Sequence, residues 1–328
     1  MIDLKTPDFW LPYVPFLHPQ SPAPFVETAF QRYDVRTVSG VTPIRSMLSS
    51  YELSLLFALA KDYWTGHGEI VDLGCLYGLT TRCFAEGARL NPNVGDAQKR
   101  KRIYAYDLFL AQDYEWWTQA SPTIHSGSWF PEFLDLNRDN LDLIVPCPGD
   151  LTAMNWGANP IEILMVDAAK SWGLNHFIVS RMFPALIAGQ SVVVQQDYFN
   201  FAEYWVAITM EHFADHFEPL DRIYGASATF RCVQPVSRDA AAFDPASLPD
   251  TEKLRLMDQA IGKAEGSAAE VLKTAKAALQ IDLGQTAAAG QTLASVRIDK
   301  GDNGPHDLSG IAEGCAMQVA ERLKQRGA

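Results

Sequence analysis

Four aspartates in this chain each stand where an apolar run ends: Asp72, Asp107, Asp167 and Asp197. Asp72 precedes a turn in which Gly74 and Gly78 are separated by Cys75, Leu76 and Tyr77. Glycines there let backbone, free of Cβ atoms, approach a bound nucleotide where a helix begins. A dinucleotide loop would read G-x-G-x-x-G, so that a pyrophosphate rests on the helix end. Here the spacing is G-x-x-x-G, and a carboxylate stands directly in front. That charge repels a pyrophosphate and suits a ligand with an ammonium and a sulfonium centre. Asp107, closing the run Ile103-Tyr-Ala-Tyr, can take the two hydroxyls of a ribose.

Strands must hold these groups. Residues 69–73, 102–107, 141–147, 161–167 and 191–197 are apolar runs bounded by turn signals. Such runs fit parallel strands buried on both faces. Residues 218–224 and 227–233, joined by Gly225-Ala226, read as a hairpin. Helical periodicity covers 172–188, closed by Gly189, and 199–216.

Strand, glycine loop, helix, strand, acid: this order resembles the class I S-adenosylmethionine-dependent methyltransferases, over roughly residues 40–236. The resemblance implies an α/β doubly wound sheet of seven strands with the last inserted antiparallel. It also implies S-adenosylmethionine as cofactor, held by Asp72, Gly74, Leu76, Gly78, Asp107 and Leu108. Gly149 and Asp150 would sit where this fold passes the adenine ring. Within the class, the chain is similar to the macrocin-type, metal-dependent sugar O-methyltransferases. In those, strands four and five are neighbours and end in acids that hold Mg²⁺, which suits paired carboxylates. Asp167, Gln196 and Asp197 match in position, and the metal would lower the pKa of an acceptor hydroxyl. Two departures stand out: Gln196 replaces an acid, and Ala168-Ala169-Lys170 replaces an acidic or histidine turn. Lys170 is then the candidate base beside Asp167, or a salt-bridge partner that takes the place of the metal.

Charge and composition set the partners. The 328 residues carry a net charge of −12, which disfavours DNA or RNA as a partner. The basic run Lys99-Arg100-Lys101-Arg102 reads as a solvated cluster. Five cysteines without a C-x-x-C pair point to reduced thiols and a cytoplasmic protein, and Cys75 to a packing role. No signal peptide or membrane span is expected. His212 and His216, four apart, have the spacing of a zinc pair but lack a third ligand.

Three regions flank or interrupt the core at 41–236. Residues 1–40 form a proline- and aromatic-rich arm, which family habit would cross to a neighbour in a homo-oligomer. Residues 108–138, with Tyr114, Trp116, Trp117, His125, Trp129 and Phe130, read as a lid or as a satellite hydrophobic cluster. Residues 250–328 read as a helical appendage, with Asp250 and Ser309 as N-caps and apolar faces at Leu254/Met257/Ile261, Leu272/Ala275/Leu279 and Ile311/Cys315/Val319/Leu323.

The expected activity is methyl transfer to a hydroxyl of a small molecule, a sugar or glycosylated metabolite. Two other classes stay open: a scaffold that binds the cofactor without chemistry, and an NAD-dependent oxidoreductase. The missing third glycine and the distance from Gly74 to Asp107 disfavour the latter.

Overall fold

The computed structural model describes residues 31–33, 44–46, 48–110, 127–157, 159–298 and 307–327. Nearly all of the arm, and Tyr114, Trp116, Trp117 and His125 of the excursion, lie outside the described residues. Seven strands build the main sheet: β1 (Glu69–Leu73), β2 (Ile103–Asp107), β3 (Ile144–Pro148), β4 (Ile161–Val166), β5 (Val192–Gln195), β6 (Phe217–Tyr224) and β7 (Ser227–Cys232). Their order is β3-β2-β1-β4-β5-β7-β6. β1 pairs in parallel with β2 and β4, and β2 with β3. β7 runs antiparallel to β5 and β6. This is the seven-stranded, doubly wound methyltransferase sheet expected from the sequence. Every residue of β1 and β4 is buried, which is why these strands read as unbroken apolar runs.

Two compact units divide the chain at Ala168/Ala169. The first holds β1–β4 with helices α1 (Ser50–Ala58), α2 (Leu79–Leu90) and α3 (Phe130–Leu136). α1 starts at a capping box in which Glu52 N–H donates to Ser49 Oγ (3.2 Å) and Ser49 N–H to Glu52 Oε2 (2.7 Å). The basic run is solvated only in part, Arg100 and Lys101 being exposed and Lys99 buried. Lys99 pairs with Asp96, Lys101 donates to the carbonyls of Leu141 and Ile144, and Arg102 pairs with Glu69. These cations fasten the starts of β1, β2 and β3 together.

The second unit holds β5–β7 with α4 (Trp172–Met182), α5 (Tyr204–His212), α6 (Asp250–Lys263), α7 (Gly266–Asp282), α8 (Thr286–Ala294) and α9 (Ser309–Gly327). α4 stops six residues before the expected end because Pro184 lacks an N–H and crowds the preceding turn; a 3₁₀ turn, Phe183–Ala185, follows. α5 ends at His212 and His216 belongs to a separate 3₁₀ turn, so the two histidines do not share a helix face. His212 instead stacks on Phe243. Asp250 is the first residue of α6 rather than its cap, and Asp307 accepts from Ser309 N–H at the start of α9. α6 buries Leu256 and Ala260 beside Met257, a face turned from the expected one. Among the described residues no helix is long and apolar enough to cross a membrane.

Candidate functional site

The turn after β1 is built from left-handed backbone. Gly74 (φ 88°), Leu76 (φ 51°) and Gly78 (φ 88°) all lie there, and Phe109 after β2 does too (φ 52°). Leucine and phenylalanine rarely adopt this region, and such strain gathers where surrounding structure enforces a functional shape. Both glycines are demanded by the protein's own packing as well. A Cβ on Gly74 would lie 2.8 Å from the Asp167 carbonyl oxygen, and one on Gly78 would lie 2.4 Å from Asn137 Nδ2 and 2.6 Å from the Phe133 ring.

Where the loop's N–H groups go decides what it can hold. Gly74 N–H donates to Tyr106 O (2.8 Å), Cys75 N–H to the same oxygen (3.4 Å), and Gly78 N–H to Cys75 O (2.7 Å). Leu76 N–H donates to Asp107 Oδ2 (2.8 Å), while Phe109 N–H donates to Asp107 Oδ1 (2.8 Å). A pyrophosphate site keeps such donors aimed at the ligand. Here they are spent inside the protein, and two carboxylates flank the turn.

Asp72 is fully enclosed, and its Oδ2 accepts from Thr80 Oγ1 (2.8 Å) and Thr81 Oγ1 (2.6 Å). These hydroxyls tie the end of β1 to the first turn of α2, whose N-cap, Gly78, has no side chain to offer. Asp72 Oδ1 has no hydrogen-bond partner. Burial pushes the Asp72 carboxyl up to about 6, the two hydroxyls work against that, and Asp107 adds to it. Burial also raises Asp107, against its two backbone donors. Having no exposed surface, Asp72 acts on a ligand through its field and through the loop it shapes. Thr80 and Thr81, unnoticed in sequence, were legible as paired hydroxyls one strand-to-helix turn beyond Asp72.

The neighbouring elements close this site. Gly149 (φ 125°) donates its N–H to Asp107 O (2.9 Å). Asp150 is exposed and accepts from Thr152 N–H and Oγ1, both at 2.8 Å, which hold its carboxyl below the usual range. Leu108 is exposed beside them. The described end of the 108–138 excursion is a hydrophobic cluster: Phe109 meets Phe130 and Phe133 at 4.9 and 5.0 Å, and Trp129 meets Tyr77 at 5.9 Å. Cys75 is buried, and its thiol is pushed up by burial and by the two carboxylates, so it packs rather than reacts.

A second cluster lies wholly within the other unit. Lys170 Nζ donates to Asp197 Oδ2. Asp197 adopts φ 64°, and Asn200 Nδ2 reaches its Oδ1 at 3.4 Å. Ser171, not an aspartate, caps α4 (Leu174 N–H to Oγ, 3.2 Å). Trp205 Nε1 donates to the Ala169 carbonyl (2.6 Å), fixing the segment that carries Lys170. Glu203 joins the pair: burial, then Asp197, push its carboxyl up to about 7, with Lys170 opposing, and its buried Oε2 has no partner. No sequence signal marked Glu203, because it sits between polar and aromatic residues without periodic meaning. Tyr204 Oη donates to Asp282 Oδ2 (2.9 Å), and Arg322 pairs with the same carboxylate, so α7 and α9 brace this turn.

The donor set fits a divalent cation poorly. Gln196 is neutral and buried, with an unpartnered Oε1, and Asp197 is taken by an ammonium. Among the described residues no group of three His, Cys, Asp or Glu side chains could hold a metal ion. Asp167 belongs to the first unit, where its N–H donates to Leu73 O (2.8 Å). A cavity of about 430 Å³ in the second unit, lined by Met210, Phe217, Leu220, Phe230 and Leu272, includes none of the candidate residues.

No protein-family model matches this chain, and no curated protein does. Several solved structures are similar to it, two of them as follows. One is the O-methyltransferase NovP, at 16% identity and a TM-score of 0.43, covering 61% of this chain and 88% of that one. The other is the apo form of CalS11, a TDP-rhamnose 3′-O-methyltransferase of calicheamicin biosynthesis, at 17% identity and a TM-score of 0.39, covering 55% and 76%. At that identity and overlap neither assigns a residue or a reaction here. What this chain's own strand order and side chains present is a seven-stranded, doubly wound sheet with β7 inserted antiparallel, and a turn after β1 flanked by two carboxylates.

Proposed function

We propose that this chain is an S-adenosylmethionine-dependent methyltransferase acting on a hydroxyl of a small molecule, a sugar or glycosylated metabolite. One observation carries the reading: the glycine loop is wedged between Asp72 and Asp107, with the N–H groups of Gly74, Cys75, Leu76 and Gly78 already used inside the protein. Such a turn offers negative potential and few donors, the reverse of what a diphosphate needs and what a cationic nucleoside prefers. When bound, S-adenosylmethionine supplies a methyl group activated by its sulfonium, leaving the protein to align an acceptor and remove a proton.

This chain's residues divide those tasks. Gly74, Leu76 and Gly78 shape the loop, and Asp72 holds it and biases its field toward cations. Asp107 receives the ribose hydroxyls on lone pairs that Leu76 and Phe109 leave over. Gly149, Asp150 and Leu108 border the base. For the acceptor, Lys170 and Asp167 are the sequence-level candidates. Paired with Asp197, Lys170 is held as an ammonium, which donates rather than accepts a proton. Glu203, with its carboxyl near 7, is suited to accept one at neutral pH. Trp172 and Trp205, both partly exposed, flank this cluster in sequence and pack on each other with ring centroids 6.0 Å apart.

The test is calorimetry of the full chain with S-adenosylhomocysteine and, separately, with NADH. Saturable binding of the thioether nucleoside alone, weakened by Asp107→Asn, is the expected result. Binding of NADH in its place would sink the reading.

A further inference from the structure

The family that the sequence resembles uses a divalent cation to hold the acceptor oxygen, and this chain's second cluster does not present a cation's ligands. It presents a cation. We infer that the Lys170 ammonium, seated on Asp197, occupies the place and does the work of that divalent ion, so that acceptor binding and methyl transfer need no metal. This deepens the methyltransferase reading and rests on it for the chemistry performed.

Three features of the second unit carry the inference. First, the ion pair is built rather than incidental. Asp197 holds φ 64°, in the left-handed region that aspartate enters more readily than most side chains, and its side chain is mostly buried while that of Lys170 is about half exposed. The buried partner is fixed and the exposed one keeps an ammonium face toward solvent. Second, the acid that a divalent ion would need next to Asp197 on the same strand end is missing. Glu203 feels both members of the pair, and Gln196, where a second acid would be needed for a divalent ion, is neutral with its buried Oε1 unpartnered. Third, the segment is locked at its base by the Trp205 indole on the Ala169 carbonyl and at its far side by Tyr204 on Asp282. An ammonium fixed this way stabilises developing negative charge on an acceptor oxygen as a metal would, but as a point charge that also donates hydrogen bonds. In the step it serves, the acceptor O–H bond breaks and its proton goes to a carboxylate. The oxygen–methyl bond forms as the sulfur–methyl bond breaks, and the sulfur leaves neutral.

Mn²⁺ is the probe, read by its paramagnetic resonance signal on the full chain and by quenching of tryptophan fluorescence. Wild type is expected to bind no Mn²⁺ in the millimolar range, with or without S-adenosylhomocysteine. Lys170→Met removes the ammonium while keeping most of its volume, exposing Asp197 and Glu203 as a carboxylate pair. It should gain a saturable Mn²⁺ site at least ~10-fold tighter than any wild-type binding, as paired oxygen ligands allow. Asp197→Asn placed on that variant should abolish the gain. Lys170→Arg, which preserves charge, serves as the folding control and should stay metal-free. Wild-type Mn²⁺ binding that Asp197→Asn removes, or no gain in a folded Lys170→Met, overturns the inference. S-adenosylhomocysteine calorimetry on the same samples tests the methyltransferase reading independently, so the two can fail separately.

Discussion

Two turns, Gly74–Gly78 after β1 and Gln196–Glu203 after β5, both bend through left-handed backbone, and the first is flanked by carboxylates while the second contains them, yet these carboxylates are held by opposite means. The first uses neutral donors only: two threonine hydroxyls on Asp72 and two peptide N–H groups on Asp107. Its negative charge is therefore organised but not cancelled. The second seats an ammonium on Asp197 and leaves Glu203 half-buried near the pair. Its charge is largely cancelled, and what remains is a proton-handling site. The same element, a sharp turn at a strand's carboxyl end, becomes a cation receptor in one place and a place for acid–base chemistry in the other. The difference lies in whether the partner of the carboxylate is a dipole or a charge.

Breaking the first turn's shape should have the largest effect. Gly78→Ala places a Cβ against Asn137 and Phe133 in a left-handed residue, so packing and backbone both object. We expect a loss of about 2–4 kcal/mol, read as a lower urea midpoint, from the left-handed penalty and the clash together. An unchanged midpoint would mean that α3 is not seated on the loop.

Next comes the charge that the first turn leaves open. Asp107→Asn should weaken S-adenosylhomocysteine binding by about 10- to 100-fold, the scale of hydrogen bonds to a charged group. Lys170→Met should leave that affinity within about 2-fold, because its charge belongs to the other turn. Equal losses from both would erase the contrast drawn here.

The third test concerns the proton-handling turn. Glu203→Gln should remove an inflection near pH 7 from the rate profile, once an acceptor is found. Below that pH the wild-type carboxyl is protonated and cannot take a proton; above it, it can. A profile unchanged by the substitution would leave Glu203 a structural residue.

The last test concerns Asp72. Its folded pKa of about 6 lies above the ordinary 3.8, so the native state binds the proton more tightly than the unfolded chain. Wild-type stability should therefore fall, relative to Asp72→Asn, as pH rises from about 4 to 6, and stay level above that window. Urea midpoints of both proteins across this range give the sign directly. A wild type that gains on the variant as pH rises would show that Asp72 is favoured as an anion by a partner not yet identified.

Much of the first turn was legible in the chain, because strand, glycine spacing and acid are local and periodic. Reading Gly74 as room for a ligand was incomplete, since the Asp167 carbonyl, far along the sequence, equally forbids a side chain there. The basic run at 99–102 looked wholly solvated because the partners of Lys101 and Arg102 come from other segments, while Lys99 pairs with Asp96 three residues before it.

By itself, the sequence determined the order of strands, the loop and its flanking acids, since buried parallel strands must be apolar and sharp turns need glycine. Only the tertiary structure decided who satisfies each charge: that threonines rather than ligand hold Asp72, that Lys170 sits on Asp197, and that Glu203 is half-buried near them. Lys170 and Asp197 are separated by a helix and a strand, so no local spacing encodes their pairing; the threonines and Glu203 lie nearer in sequence to their carboxylates, but packing decides which polar group is buried against which.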